Sequence, residues 1–150
     1  MADRLSPTAR STVMRAVKGR DTAPERRVRR MLHAAGYRFR VQFPFRRKRL
    51  DLAFINRKRV VLVHGCFWHG HDCPRGRLPQ TNTDFWNAKI SRNRERDNET
   101  ILALVADHWT TAIVWECELK DEAAVSQRLR AFLGPPKWSG DQAPSTASSP

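Results

Sequence analysis

Apolar and polar positions along the 150-residue chain alternate with two periods, and the changes between them mark the elements. Thr22-Ala23-Pro24-Glu25 reads as a helix start, with a Thr N-cap, Pro in the first turn and Glu at the third position. Val28, Met31, Leu32 and Ala35 then recur at helical spacing, and Gly36 supplies the stop. Tyr37 to Val41 alternates apolar and basic residues and predicts a strand with its basic face outward. Leu50 to Ile55 and Arg59 to His64 predict two further strands joined by the hairpin-like Asn56-Arg57-Lys58. Within LDLAFI, a period of two sets Asp51 on the face opposite Leu50 and Leu52.

A loop carrying Pro74, Gly76 and Pro79 follows, then helices expected over Thr83 to Arg96 and Asn98 to His108. Thr110 to Trp115 is rich in β-branched residues and predicts a strand. Asp121 to Leu133 predicts a closing helix, with Ala124, Val125, Leu129, Phe132 and Leu133 inward. Residues 7–18 read as a short basic helix with Met14 and Val17 as its apolar positions, an arm that orders on a partner. Beyond Gly134 the composition turns to Pro, Ser, Gly and Ala, and a disordered tail over 134–150 is expected. The order of elements predicts one α/β domain over 20–133, built on a mixed sheet and preceded by a basic arm over 1–19.

Charge changes the picture most. Lysine and arginine number 28 against 15 acids, a formal charge of +13 spread over many segments. A broad cationic surface points to a polyanion, nucleic acid above all, because each phosphate neutralised releases counterions. No apolar run is long enough for a membrane span and no signal-peptide core opens the chain, so a cytoplasmic protein that does not engage membranes is expected. Three cysteines cannot all pair within the chain, and a reducing compartment favours metal binding over disulfides.

HGCFWHGHDC, residues 64–73, gathers three of the five histidines and two of the three cysteines. Cys66, His71, Cys73 and the later Cys117 suit a closed tetrahedral structural zinc site. Spacing alone leaves His69 open as the ligand in place of His71. Asp51 is expected beside the strand ending at His64. A carboxylate there suits Mg²⁺ and a histidine suits proton transfer, a pairing fit for phosphodiester hydrolysis. The helix cap is a sufficient reason for Glu25, and a solvated helix face for Asp97. Phe67 and Trp68 within the loop, with Trp86 after Phe85, suit either covering the metal site or wedging between base pairs.

These motifs together carry a resemblance. MRAVKGRDTAPE, the strand pair bearing Asp51, HGCFWHGHDC, TDFWNAKISRNRERD and IVWEC make the chain resemble the very short patch repair (Vsr) DNA mismatch endonucleases over roughly residues 8–133. The resemblance implies a restriction-endonuclease-like fold and nicking beside the thymine of a G·T mismatch left by deamination of 5-methylcytosine. It implies Asp51 as the Mg²⁺ ligand with the Val63 carbonyl as a second oxygen, and His69 as general base. Glu25, His64 and Asp97 would hold metal-bound waters or orient that base. It assigns Cys66, His71, Cys73 and Cys117 to structural Zn²⁺, Phe67, Trp68 and Trp86 to intercalation, and the segment around Met14 and Val17 to the minor groove. The implied partners are mismatched double-stranded DNA and other mismatch-repair proteins, and a single asymmetric lesion suits a monomer.

The chain departs from the restriction-nuclease pattern at two points. Leu50 stands where Pro usually precedes the first Asp, and VVLVHG carries no acid-x-Lys pair, which fits a histidine-based mechanism. Val63 stands where some relatives have threonine. Two competing readings keep the same residues: a zinc-stabilised DNA-binding module without catalysis, which gives Asp51 no role, and a zinc hydrolase using His64 and His69 as ligands with an open position.

Overall fold

The structure, a computed structural model, describes residues 21–136. The expected arm, with Met14 and Val17, and the tail from residue 137 lie outside the described residues.

Helix α1 (Ala23–Ala34) starts as its sequence predicts: the Thr22 hydroxyl accepts the Glu25 N–H and Pro24 sits in the first turn. Four strands follow, β1 (Arg40–Phe45), β2 (Lys48–Phe54), β3 (Arg59–His64) and β4 (Thr110–Trp115), in spatial order β1-β2-β3-β4. The first three are antiparallel and β4 joins β3 in parallel, so the sheet is mixed as expected. The parallel step needs a crossover, supplied by a loop and helix α2 (Thr83–Ala106). A short helix (Glu116–Asp121) and α3 (Glu122–Leu133) close the domain.

The two faces of the sheet bury separate cores. On one, α1 and α3 lay Val28, Leu32, Val125 and Leu129 over Leu52, Phe54, Val61, Val63 and Val114. On the other, Leu104 of α2 and Trp109 cover Phe45, Leu50, Ala53, Val60 and Leu62. The result is a three-layer α/β/α sandwich. Among the described residues no helix is long and apolar enough to cross a membrane.

Four expectations are corrected. The first strand runs over Arg40–Phe45 rather than Tyr37–Val41, because Tyr37 is drawn into the core, edge-on to Phe54, with its hydroxyl donating to the Gly134 carbonyl. The helices expected to part near Asp97 are one 24-residue helix, α2. Ala124 is exposed, and the inward stripe of α3 is Val125, Leu129 and Leu133. Leu50 and Leu52 do not share a face: Leu50 enters the α2 side and Leu52 the α1/α3 side. The β1–β2 ladder pairs Val41 with Leu52 and Phe43 with Leu50 but skips Gln42 and Asp51, and Gln42 takes a left-handed φ of 49°. The period of two therefore breaks at the residue expected to carry chemistry.

The first residues of the expected tail are held. Arg57 donates to the carbonyls of Leu133 (2.6 Å) and Pro135 (2.8 Å). Burial on the α1/α3 face sets a stability test. Leu129→Ala, at a side chain with no exposure, is expected to lower unfolding free energy by about 2–5 kcal/mol in urea titration. Leu102→Ala, at a position 69% exposed, is expected to change it by less than about 0.5 kcal/mol.

Candidate active site and metal centre

β2 and β3 meet where Asp51 stands beside Val63, and the Val63 N–H donates to Asp51 Oδ2 at 2.8 Å. A cavity of about 690 Å³ opens there, lined by Glu25, Asp51, Val63, His64, His69 and Asp97. Lys48, Arg49 and Lys89 add cationic side chains to its wall. Burial pushes the Asp51 carboxyl up to about 7, against the pull of the Val63 hydrogen bond, and the nearby Glu25 charge pushes the same way. A cation seated there would offset both and hold the carboxylate ionised.

His64 ends β3 and is buried, which pulls its imidazole down to about 4; the neighbouring His69 charge adds to this. The two rings stack face to face, centroids 3.9 Å apart at 5°. His69 Nδ1 meets Asp97 Oδ2 of α2 at 2.7 Å. An acceptor carboxylate on Nδ1 selects the tautomer with the proton there, leaving the Nε2 lone pair to take a proton. The solvated helix face thus proves a poor account of Asp97. Glu25 is more than a cap residue: its carboxylate is 3% exposed and lines the cavity shared with Asp51.

Beyond His64 the chain turns tightly into the cysteine-rich loop. Cys66, His71 and Cys73, with Cys117 from the short helix after β4, bring one ligand atom each within 4.8 Å of all the others. Three sulfurs and one ring nitrogen in such a cluster fit a single tetrahedral ion with no open position. The Cys117 N–H donates to Cys66 Sγ at 3.3 Å, and Cys117 Sγ lies 3.5 Å from His71 Nδ1. His71, not His69, stands in this cluster; the His69 ring faces Asp97 and His64 instead. His64, His69 and Asp97 form a second cluster of ligand-bearing atoms within 4.8 Å.

Glycines make this folding possible. A Cβ on Gly76 would sit 1.9 Å from the His71 carbonyl oxygen. A Cβ on Gly70 would sit 2.7 Å from Ile90 and 2.9 Å from Arg94 of α2, at a φ of 66° that glycine alone adopts freely. The loop lies against α2 because Gly70 lacks a side chain, and it closes on its own backbone at His71 because Gly76 does.

Phe67 and Trp68 project from this loop and meet Trp86 of α2. Their centroids are 5.0 Å apart, and Phe67 lies 5.2 Å from Trp86 in an edge-on contact. Trp86 is buried at 6% exposure, so it backs the two half-buried rings. Three contributors carried little signal in the sequence. Trp115 stacks on His71 at 4.1 Å and 14° and sets its edge against His64 at 5.2 Å, linking the two clusters. Asn93 donates to the Trp68 carbonyl at 2.8 Å. Gln42 donates to Glu25 Oε2 at 3.0 Å. Only Trp115 was foreshadowed, by its place two residues before Cys117.

A recessed carboxylate, a histidine oriented by a second carboxylate and a cationic wall are the equipment of a hydrolytic enzyme for phosphodiesters. A family model described as DNA mismatch endonuclease Vsr matches residues 2–75. The type II nicking enzyme V.XorIIP of Xanthomonas oryzae pv. oryzae is 48% identical over 139 residues, covering 90% of this chain and 99% of that protein. The type II nicking enzyme V.NmeAIP of Neisseria meningitidis is 41% identical over 135 residues, 89% of this chain and 95% of that protein. DNA mismatch endonuclease Vsr of Escherichia coli is 39% identical over 138 residues, 89% of this chain and 88% of that protein. The chain belongs to the Vsr family of DNA mismatch endonucleases and is an endonuclease.

The loop geometry sets a second test. Gly76→Ala is expected to bring the metal content of purified protein well below one equivalent by elemental analysis. Gly65→Ala, whose Cβ would find only ordinary contacts from 3.6 Å outward, is expected to keep its metal.

Proposed function

We propose that this endonuclease nicks one strand of duplex DNA on the 5′ side of the thymine in a G·T mismatch, the lesion left when 5-methylcytosine deaminates. The observation that carries the reading is the His69–Asp97 pair at 2.7 Å, held in the same cavity as the recessed Asp51. A DNA-binding module without chemistry has no use for that arrangement. The family membership and the relatives named as nicking enzymes support strand-specific cleavage. The three-layer sandwich with its mixed sheet suits a restriction-endonuclease-like fold.

Asp51 is the ligand for Mg²⁺, with the adjoining Val63 carbonyl as a second oxygen. Bound there, Mg²⁺ supplies neutralising charge to the scissile phosphate and its leaving oxygen. His69 Nε2 accepts the proton of the attacking water, and Asp97 on Nδ1 stabilises the imidazolium that results. His64 is held neutral by burial and stacked on His69, so it fixes the ring plane without competing for the proton. Glu25 and His64 offer hydrogen bonds to waters around the cation. Val63 leaves that role to a backbone carbonyl, and no side-chain hydroxyl is needed.

Cys66, His71, Cys73 and Cys117 hold Zn²⁺ as a structural ion. A full set of four ligands leaves no coordination position for a reacting water at that site, so a zinc hydrolase would have to use the separate His64, His69 and Asp97 cluster. The Zn²⁺ site keeps Phe67 and Trp68 in register with His69 on the same loop. Those two rings, backed by Trp86, enter the base stack, where weak mismatch pairing lowers the cost of insertion. The basic arm with Met14 and Val17 reaches the minor groove. One asymmetric lesion is read by one protomer, in the cytoplasm, with mismatch-repair proteins as partners.

Asp51→Ala and His69→Ala are each expected to lower nicking of a G·T duplex in Mg²⁺ by at least about a hundredfold, with duplex affinity largely retained. Full nicking by either variant, or equal cleavage of matched duplex by the native protein, would sink this reading. Cys117→Ala is expected to lose zinc; unaltered zinc content would count against the closed site.

A further inference from the structure

The carboxylate of Glu25 is almost fully buried, and its two oxygens have different surroundings. Oε2 accepts three hydrogen bonds: from the Asp21 N–H at 3.0 Å, from Arg29 Nη2 at 3.1 Å and from Gln42 Nε2 at 3.0 Å. Oε1 receives the Thr22 hydroxyl at 3.3 Å. A carboxylate oxygen has room for about two good donors, so Oε2 is saturated and Oε1 keeps acceptor capacity.

Gln42 reaches Glu25 from an unusual backbone. Its φ of 49° lies in the left-handed region, where a long side chain is seldom found. It faces Asp51 across the gap in the β1–β2 ladder, and its carbonyl accepts Arg49 Nη1 at 3.2 Å. Glycine or asparagine would adopt this conformation more readily, so glutamine here calls for a reason in its side chain. Left-handed residues that persist under strain gather at functional sites.

We propose that Gln42 is a positioning residue for the catalytic cation: by occupying Glu25 Oε2 it turns Oε1 into the Asp51 cavity as an acceptor for a cation-bound water. This rests on the reading of Asp51 as the Mg²⁺ ligand. The left-handed backbone, the ladder gap and the buried carboxylate are then one device. Leaving the ladder lets the Gln42 amide reach across to α1, and the same gap interrupts the pairing of Asp51.

The test uses the full chain with its structural metal in place, and Mn²⁺ as a probe whose unbound fraction is read by electron paramagnetic resonance. Gln42→Gly removes the amide and relaxes the backbone. Gln42→Asn keeps an amide that tolerates the left-handed region but is one methylene too short to reach. Both are expected to weaken Mn²⁺ binding about tenfold and to raise the Mg²⁺ concentration for half-maximal nicking in parallel, with thermal midpoints unchanged or higher. A residue that merely supports the fold would instead lower the thermal midpoint along with the affinity. Native-like Mn²⁺ affinity in both variants, or losses that track falling stability, would overturn the proposal. Mn²⁺ binding that survives Asp51→Ala would overturn the cation site and the proposal with it. Native protein that binds Mn²⁺ through Asp51 but leaves G·T duplex intact would overturn the proposed function and leave the role of Gln42 standing.

Discussion

The parallel ladder between β3 and β4 is the constraint on which the rest of the molecule depends. Its six pairs run from Arg59 with Thr110 to His64 with Trp115. Each strand then ends at the same level, and each is followed two residues later by a cysteine, Cys66 and Cys117. A sheet that bonds in this register cannot avoid bringing those sulfurs together. The Cys/His cluster is therefore a property of strand register first and of loop sequence second. Trp115, paired with His64, becomes the partition between His71 of the Cys/His cluster and the histidine stack.

The sequence made most of this architecture legible because its periods are clean. α1 begins at its Thr cap, β4 occupies the predicted Thr110–Trp115, and the mixed sheet follows from the order of elements. The cluster of Cys66, His71, Cys73 and Cys117 was legible because soft ligands are scarce and were concentrated. The features that stayed hidden are long-range. Nothing local foretells that Gln42 leaves the ladder, since its conformation answers to Glu25, 17 residues upstream. Asp97 looked like one charge among many in SRNRERD until the loop brought His69 against it. The break expected near Asp97 did not occur, because packing of α2 at both ends outweighs the modest helix propensity of Asp and Asn.

Charge and burial act in opposite directions at the active site. The chain surrounds a strongly cationic surface with solvent, yet it withdraws two carboxylates, Asp51 and Glu25, into one cavity. Proximity of like charges in a recessed space is unfavourable. Arg29 and Gln42 offset part of that cost at Glu25, and the Val63 amide does so at Asp51. What remains is an electrostatic deficit that a small divalent ion fits. Asp51 stands at the skipped pair of the β1–β2 ladder, so the break in sheet pairing and the buried carboxylate coincide at this one residue.

Helix α2 is long for a domain of this size: 24 residues span about 36 Å at the usual rise. Its first turn carries Trp86 beneath the loop aromatics, its middle carries Asp97 against His69, and its last turns anchor Leu104 in the core on one sheet face. The rod is held near both ends, by buried Trp86 and Ile90 at its start and Leu104 near its finish, with Asp97 between them. Loosening the packing around Leu104 and Trp109, which lie apart from the cavity wall, would release one of the two supports that set the position of the Asp97 carboxylate. The placement of Asp97 against His69 is thus borrowed from a hydrophobic core that does not line the cavity.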